Sequence, residues 1–562
     1  MDAARVPAGG EARGLPGRQP GAWLLRRTPL LILLLGYAWL GVPAVVLTRP
    51  WQIPDEPAHL NQVRQRLEGQ APVIEAGDYP FETVRRVSQT ERGTGLRSEE
   101  LASLQYEDHQ PPLYYRLGVL VLRLTEGARA DPAAEPAAGS VDATSAGPAG
   151  SRADDPTPWW YELQVLRFLS LLLGACTLLL FWWVAGLLRP GDWALRVAVS
   201  SFAAFLPMQL HLNSGVNNDA LAFAVCAAAL GLALRRLGPD GRAPATWGGA
   251  LVAGLWMGVA ALSKLSALLP TVLLLLGAEL LARRGRRQNA SQAEGSAGGS
   301  TSPAVATSTA SPSATPTLLP ISSATVTSSQ PPLLAWLALA VGLSLLLAAP
   351  WLRHNIVHYG WADPLALKAH DLATACPPGA PADCQPRTDA WIAEHGWMDL
   401  LGRGLSFTFK SFWGVFGWMA VFLGRLKGIP IYGALALSTA LALAGLLWRL
   451  GRGWLGRDGW LRRAQAALLG LHLAATFGGF VWYNLSFVQH QGRYLLPALL
   501  PLALAYCAGL RALVQDLAAG LGAGRATAQR LGGAALMAHA AGLALLAWIS
   551  VTRYVIPALG WS

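Results

Sequence analysis

The chain has 562 residues, of which 53% are apolar and only 14% charged, and its mean hydropathy is +0.35. Such values exclude a soluble domain of this length and mark an all-α polytopic membrane protein. The formal net charge of +11 sits largely in short loops between apolar runs. There it serves topology and contact with anionic membrane lipids, which argues against a nucleic-acid partner.

A helix needs about 20 apolar residues to cross a bilayer. Eleven such runs occur, near 29–48, 162–187, 193–211, 218–235, 246–262, 265–282, 332–350, 429–449, 464–483, 493–510 and 531–549. The first follows Arg26 and Arg27 and lacks a small-residue cleavage site, so it reads as an uncleaved anchor after a cytoplasmic tail, 1–28. If the runs alternate, Arg235/Arg236, the arginines of 283–287, Arg449 to Arg463 and Arg525/Arg530 share one side. Cationic flanks are retained inside, so that side is cytoplasmic. The outer side then receives loops 49–161, 212–217, 351–428 and 484–492. The chain divides into an N-terminal membrane module, 29–287, a linker, 288–331, and a C-terminal module, 332–562. The linker and 127–157 are rich in Ala, Ser, Thr, Pro and Gly, and are expected to be disordered. Cys176, Cys226 and Cys507 lie in apolar runs as small hydrophobes. Cys376 and Cys384 flank a Pro-rich stretch that a disulfide could close in an oxidising compartment.

Directly after the first run comes Pro54-Asp55-Glu56-Pro57-Ala58-His59. Acids at a water-facing boundary ionise readily, whereas in hydrocarbon each would cost roughly 2.5–3.5 kcal/mol on insertion scales. Asp55, Glu56 and Pro57 suit a helix start, and Gly69 suits its end. Leu60, Val63 and Leu67 form one stripe of that helix and His59, Gln62 and Arg66 another. Asp55 is then either a helix cap or a reactive carboxylate. The same loop holds Tyr106-Glu107-Asp108-His109-Gln110-Pro111-Pro112-Leu113-Tyr114-Tyr115, a second acid/His group before a proline-primed interfacial helix. The bland reading of Asp108 is a solvated residue beside a membrane anchor.

An Asp-Glu pair after the first membrane helix, followed in one loop by Pro-Pro-Leu-Tyr-Tyr, resembles the GT-C membrane glycosyltransferases, which include protein O-mannosyltransferases and lipid A aminoarabinose transferases. Three further stretches, 215–222, 410–419 (Lys-Ser-Phe-Trp-Gly-Val-Phe-Gly-Trp-Met) and 491–497 (Gln-Gly-Arg-Tyr-Leu-Leu-Pro), look like an uncharacterised bacterial membrane-protein family placed beside those enzymes. The resemblance implies a multi-helix fold with interfacial helices in the first outer loop. It also implies transfer of a sugar from a polyprenyl-phosphate donor to a lipid, glycan or protein acceptor at the outer face of the bacterial cytoplasmic membrane. Carried over by motif, the catalytic acid is Asp55, with Glu56 beside it and Asp108 as a second acid. The aminoarabinose-type pattern has Glu-Lys before the prolines where this chain has His109-Gln110, so another cation must meet the phosphate.

Glycosyl transfer needs a carboxylate to take the acceptor's proton and cations to hold the leaving phosphate. Arg493, in a polar turn with Tyr494 beside it, can offer paired hydrogen bonds at headgroup depth. Lys264 interrupts a long apolar stretch and is either a phosphate contact or a snorkelling hairpin residue. Arg353 directly follows a membrane run. His59 and His109 complete the candidate substrate-binding positions. Two His near two acids leave a divalent metal open, although no ligand spacing supports one. Asn217, Asn218 and Asp219 read chiefly as caps, and Trp413, Phe416 and Trp418 as an interfacial aromatic belt. A transporter or flippase for a lipid-linked glycan, or a non-enzymatic envelope assembly protein, is the competing class. Acids gathered in outer loops rather than at mid-membrane favour chemistry over passage.

Overall fold

The computed structural model describes residues 20–89, 98–129, 158–239, 243–297, 330–375, 387–453 and 459–561. The Cys376/Cys384 pair lies outside these residues, as do 130–157 and 298–329 of the two stretches expected to be disordered. Among the described residues, eighteen α-helices of five residues or more follow one another. The first loop carries four of them after α1 (Pro20–Leu47), namely α2 (Glu56–Leu67), α3 (Phe81–Gln89), α4 (Ser98–Ala102) and α5 (Leu113–Arg129). Next come α6 (Pro158–Leu188), α7 (Trp193–Phe205), α8 (Pro207–Asn213), α9 (Asp219–Leu237), α10 (Trp247–Ser263), α11 (Leu265–Ala297) and α12 (Leu333–Tyr359). The chain ends with α13 (Leu367–Ala373), α14 (Thr388–Trp413), α15 (Ile431–Gly451), α16 (Trp460–Asn484), α17 (Leu499–Gly520) and α18 (Arg525–Ser550). Two antiparallel hairpins separate α14 from α15, β1 (Val415–Phe416) with β2 (Val421–Phe422) and β3 (Arg425–Leu426) with β4 (Ile429–Pro430).

Nine of the eleven apolar runs fall on single helices, 193–211 is divided between α7 and α8, and 493–510 begins in the 3-10 turn Gly492–Ala498; the protein is an all-α multi-pass membrane protein. Nine described spans are long and apolar enough to cross a bilayer. The α7–α8 pair makes ten if counted as one span, and α10, at 17 residues, is shorter. The α7–α8 break has a local cause. Leu206 is extended (ψ 116°) before Pro207, which cannot donate into the preceding turn and so starts a new helix, bent by 53°. Lys264 is likewise extended (φ −164°, ψ 141°) and separates α10 from α11.

Lipid offers no hydrophobic drive between helices, so close packing and polar pairs hold the bundle. A Cβ on Gly445 of α15 would collide with the Gly509 carbonyl of α17, which shows how closely the two backbones meet. Arg236 of α9 pairs with Glu279 of α11 at 2.6 Å, Arg449 of α15 with Asp516 of α17 at 3.2 Å, and Arg511 of α17 with Asp192 before α7. All of these lie at the arginine-bearing end. The loops after α1, α8, α10, α14 and α16 meet at the opposite end.

Two expectations change. Helix α11 runs to Ala297, into the stretch read as a disordered linker, and α5 runs to Arg129. The described part of 351–428 is largely helical, and α14 is broken at Gly396, where φ is +81°. Trp413 and Phe416 are core residues, 2% and 0% exposed, because α14 turns inward there to pack on Phe202 and His211; they form no interfacial belt.

Candidate active site

The turn between α1 and α2 is built around a buried ion pair. Glu56 and Arg167 of α6 are both fully buried and meet through two hydrogen bonds of 2.7 Å. The carboxylate also accepts from the backbone N–H of Trp51 at 3.0 Å and of Val216 at 3.2 Å. Arg167 donates in addition to the carbonyls of Val45, Thr48 and Arg49 at 3.1, 2.7 and 3.0 Å. These are orphan acceptors at the C-terminal end of α1. Glu56 thus ties α1, α6 and the start of α9 together, and neither of its oxygens is left for substrate. Glu56, expected beside Asp55 in the reaction, has both oxygens engaged in a structural clamp.

This clamp holds two residues in the left-handed region that a side chain ordinarily avoids, Trp51 (φ 65°) and Asp55 (φ 67°). Such backbone costs of order 1–3 kcal/mol each and persists where neighbours impose it. Here the neighbours are the Glu56 hydrogen bonds and Trp418, whose indole donates to the Trp51 carbonyl at 2.8 Å. Asp55 occupies the N-cap position of α2, but its side chain makes no cap. It accepts instead from Arg493 at 3.0 Å and from the Tyr106 hydroxyl at 3.2 Å. Burial opposes ionisation of Asp55, but the Arg493 guanidinium and, further off, Lys264 outweigh it and hold the carboxyl below its ordinary value.

Arg493 is placed by backbone contact. It lies in the 3-10 turn Gly492–Ala498, and the N–H of Gly492 donates to Ser411 Oγ of α14 at 2.7 Å. A Cβ at Gly492 would run into the backbone of Thr408 and Phe412. The guanidinium lies 5.2 Å from the ring centre of Tyr494, and its Nε is buried without a hydrogen-bond partner. Lys264 pairs with Asp219 at 2.6 Å. Asn217 accepts from the Ala220 N–H at 3.3 Å and caps α9, whereas Asn218 donates to Gln110 at 3.1 Å.

The second acid group divides. Asp108 accepts from Gln65 at 2.8 Å and is pushed up to about 7 by burial, with Asp78 and Arg66 as its charged neighbours. Glu107 is the acid that faces Asp55. Its Oε2 is buried without a partner, and burial followed by the Asp55 charge pushes it up to about 8, against Lys264 and Arg493. Asp108, expected as the second acid, is bonded to Gln65, while Glu107 is the acid that feels the Asp55 charge.

The remaining positions separate as well. His59 meets the Tyr115 hydroxyl at 2.8 Å, and burial pushes its pKa down to about 3, so it is neutral. His109 contacts the Tyr106 carbonyl at 3.1 Å and lies against His370, ring centres 4.2 Å apart. Arg353 is exposed on α12, and the cations at Asp55 are Arg493 and Lys264. Among the described residues no group of three or more His, Cys, Asp or Glu is placed to hold a metal ion.

A cavity of about 780 Å³ opens beside the 3-10 turn. Leu495, two residues past Arg493, lines it together with Phe409, Phe412, Phe477 and Leu405. Thr388, Asn484 and His490 are among its few polar residues.

Sequence reasoning passed over Glu107, Tyr106 and Arg167. Arg167 carried a readable signal, since an arginine within an apolar run requires a partner. Glu107 carried none, because which of two adjacent acids faces inward depends on the turn.

No protein-family model matches the chain, and no curated protein matches it. Among solved structures, the chain is similar to the crystal structure of ArnT from Cupriavidus metallidurans bound to undecaprenyl phosphate. The two share 13% identity at a TM-score of 0.44, over 95% of this chain and 77% of that one.

Proposed function

We propose that the protein is a membrane glycosyltransferase that moves a sugar from a polyprenyl-phosphate donor to a hydroxyl-bearing acceptor at the loop end of the bundle, the outer face of the cytoplasmic membrane. The observation that carries the reading is the Asp55–Arg493 pair, at 3.0 Å, on a strained turn beside Lys264 and Glu107. A carboxylate kept ionised next to a guanidinium with an unused N–H suits a site that receives an anionic leaving group.

In this reading the donor's phosphate competes with Asp55 for Arg493 while Lys264 supplies a second positive charge. Release from Arg493 raises the basicity of Asp55, because its largest stabilising partner is withdrawn. Asp55 then takes the proton of the acceptor hydroxyl as the oxygen attacks the anomeric carbon. The new C–O bond forms, the bond from the anomeric carbon to the phosphate oxygen breaks, and the polyprenyl phosphate leaves with the electron pair against Arg493. The apolar cavity past Leu495 suits the isoprenoid chain. Glu107, protonated at neutral pH, adds no negative charge opposite the phosphate.

The test is transfer by purified protein from a panel of polyprenyl-phosphate sugars to envelope lipid, glycan and protein acceptors. Asp55→Asn keeps the size of the side chain and one acceptor oxygen for Arg493 or Tyr106, but cannot accept a proton. It should fold as the parent does and lose transfer by at least the roughly 10²–10⁴-fold that general base catalysis supplies. Parental turnover in Asp55→Asn would refute the assignment.

A further inference from the structure

Three buried oxygens gather around Gln110 at the loop end, each without a hydrogen-bond partner among the described residues. Asn218 donates to Gln110 Oε1 at 3.1 Å and to the Tyr115 hydroxyl at 3.4 Å, but its own Oδ1 is unmet. Gln62 donates to the carbonyls of Asp108 and Gln110, both at 3.4 Å, and its Oε1 is unmet as well. Both side chains are 0% exposed. The third atom is Glu107 Oε2, with Gln110 beside the same carboxyl and Asp55, Lys264 and Arg493 as its charged neighbours. A buried polar atom left unpaired costs about 1–3 kcal/mol, so three around one residue call for donors from outside the chain. Asp55, Glu107, Gln110 and Arg493 are each part-exposed, which opens the group to ligand.

On the proposed transfer, on which this rests, we infer that the donor sugar is uncharged and that Glu107, Asn218 and Gln62 read its hydroxyl groups. The nearby charges are already matched, Asp55 with Arg493 at 3.0 Å and Lys264 with Asp219 at 2.6 Å. Glu107, pushed up to about 8, keeps its proton at neutral pH and so both donates and accepts. Hydroxyl groups supply what these oxygens lack and bring no charge. A uronic acid would set against them a carboxylate with no hydrogen to give. An amino sugar would bring an ammonium to a place where each carboxyl group already holds a cation or a proton. Sites that hydrogen-bond a substrate hydroxyl discriminate strongly, because the wrong ligand leaves their buried polar groups unpaired.

The test is calorimetric binding to the full chain in detergent of bare decaprenyl phosphate, of decaprenyl-phosphate-linked glucose, mannose, galactose and arabinose, and of the glucuronate and glucosamine analogues. At least one neutral sugar should bind tenfold or more tighter than the bare carrier, the equivalent of about 1.4 kcal/mol, and tighter than both charged analogues. Glu107→Leu and Asn218→Leu should each remove most of that gain, whereas Glu107→Gln, which still donates and accepts, should keep it. A charged sugar that binds tighter than every neutral one overturns the proposal, and so does a gain that survives both leucine variants. Bare carrier that binds as tightly as every sugar-loaded one also overturns it, with water serving the three oxygens, and leaves the transfer reading standing. Failure of every carrier to bind refutes the transfer reading and this proposal with it. Should the variants fail to fold, the order of the carriers on the parent protein decides alone.

Discussion

Glu56→Gln separates the structural role of Glu56 from a catalytic one. Glutamine matches glutamate in size, so the substitution removes charge and one acceptor without opening a cavity. It leaves Arg167, fully buried, facing three backbone carbonyls and an amide. Deleting one member of a buried ion pair costs about 3–5 kcal/mol, because the surviving charge has neither water nor partner. At about 1.4 kcal/mol per decade, the folding equilibrium shifts by about 10²–10⁴-fold. That is a large part of a typical total stability of about 5–15 kcal/mol. Thermal unfolding of detergent-solubilised protein, followed by tryptophan fluorescence, should therefore show a large loss. The double variant Glu56→Gln/Arg167→Met should recover part of it, since the stranded charge is removed while the Val45, Thr48 and Arg49 carbonyls lose their donor. A Glu56→Gln protein that melts like the parent and loses only turnover would refute this reasoning and return Glu56 to the reaction.

Glu107 and Asp108 contribute to the pH dependence with a definite sign, opposite to that of the buried neutral His59, whose contribution grows as pH rises toward about 6.5. Glu107 and Asp108, raised to about 8 and about 7, keep protons that the unfolded chain releases near 4 to 4.5. Their contribution to stability is greatest below that range and declines as pH rises to about 7–8. Glu107→Gln should remove about half of the two acids' destabilising slope between pH 5 and 7, so that stability rises more, or falls less, with pH than in the parent; an unchanged unfolding profile would contradict the placement of Glu107. Gly492→Ala forces a methyl group against the backbone of Thr408 and Phe412. It should cost about 1–3 kcal/mol as overpacking and lower transfer by shifting Arg493, so parental stability and turnover together would contradict the contact.

Composition and apolar spacing were enough to derive the membrane class and most helix positions, because helix length is set by bilayer thickness; the break between α7 and α8 was not read from them. The loop acids were legible as a group, since a helix start after Asp55 and a proline-primed helix after Gln110 follow from local chemistry. Their roles were not. Glu56, Glu107 and Asp108 are alike on paper, and Asp55 suits a cap as well as a base. What divides them is long-range: Arg167, 111 positions from Glu56, buries it, and Arg493, 438 positions from Asp55, draws that carboxylate away from the helix it precedes. Ionisation depends on which charges and how much water surround a group, and only the assembled bundle decides that.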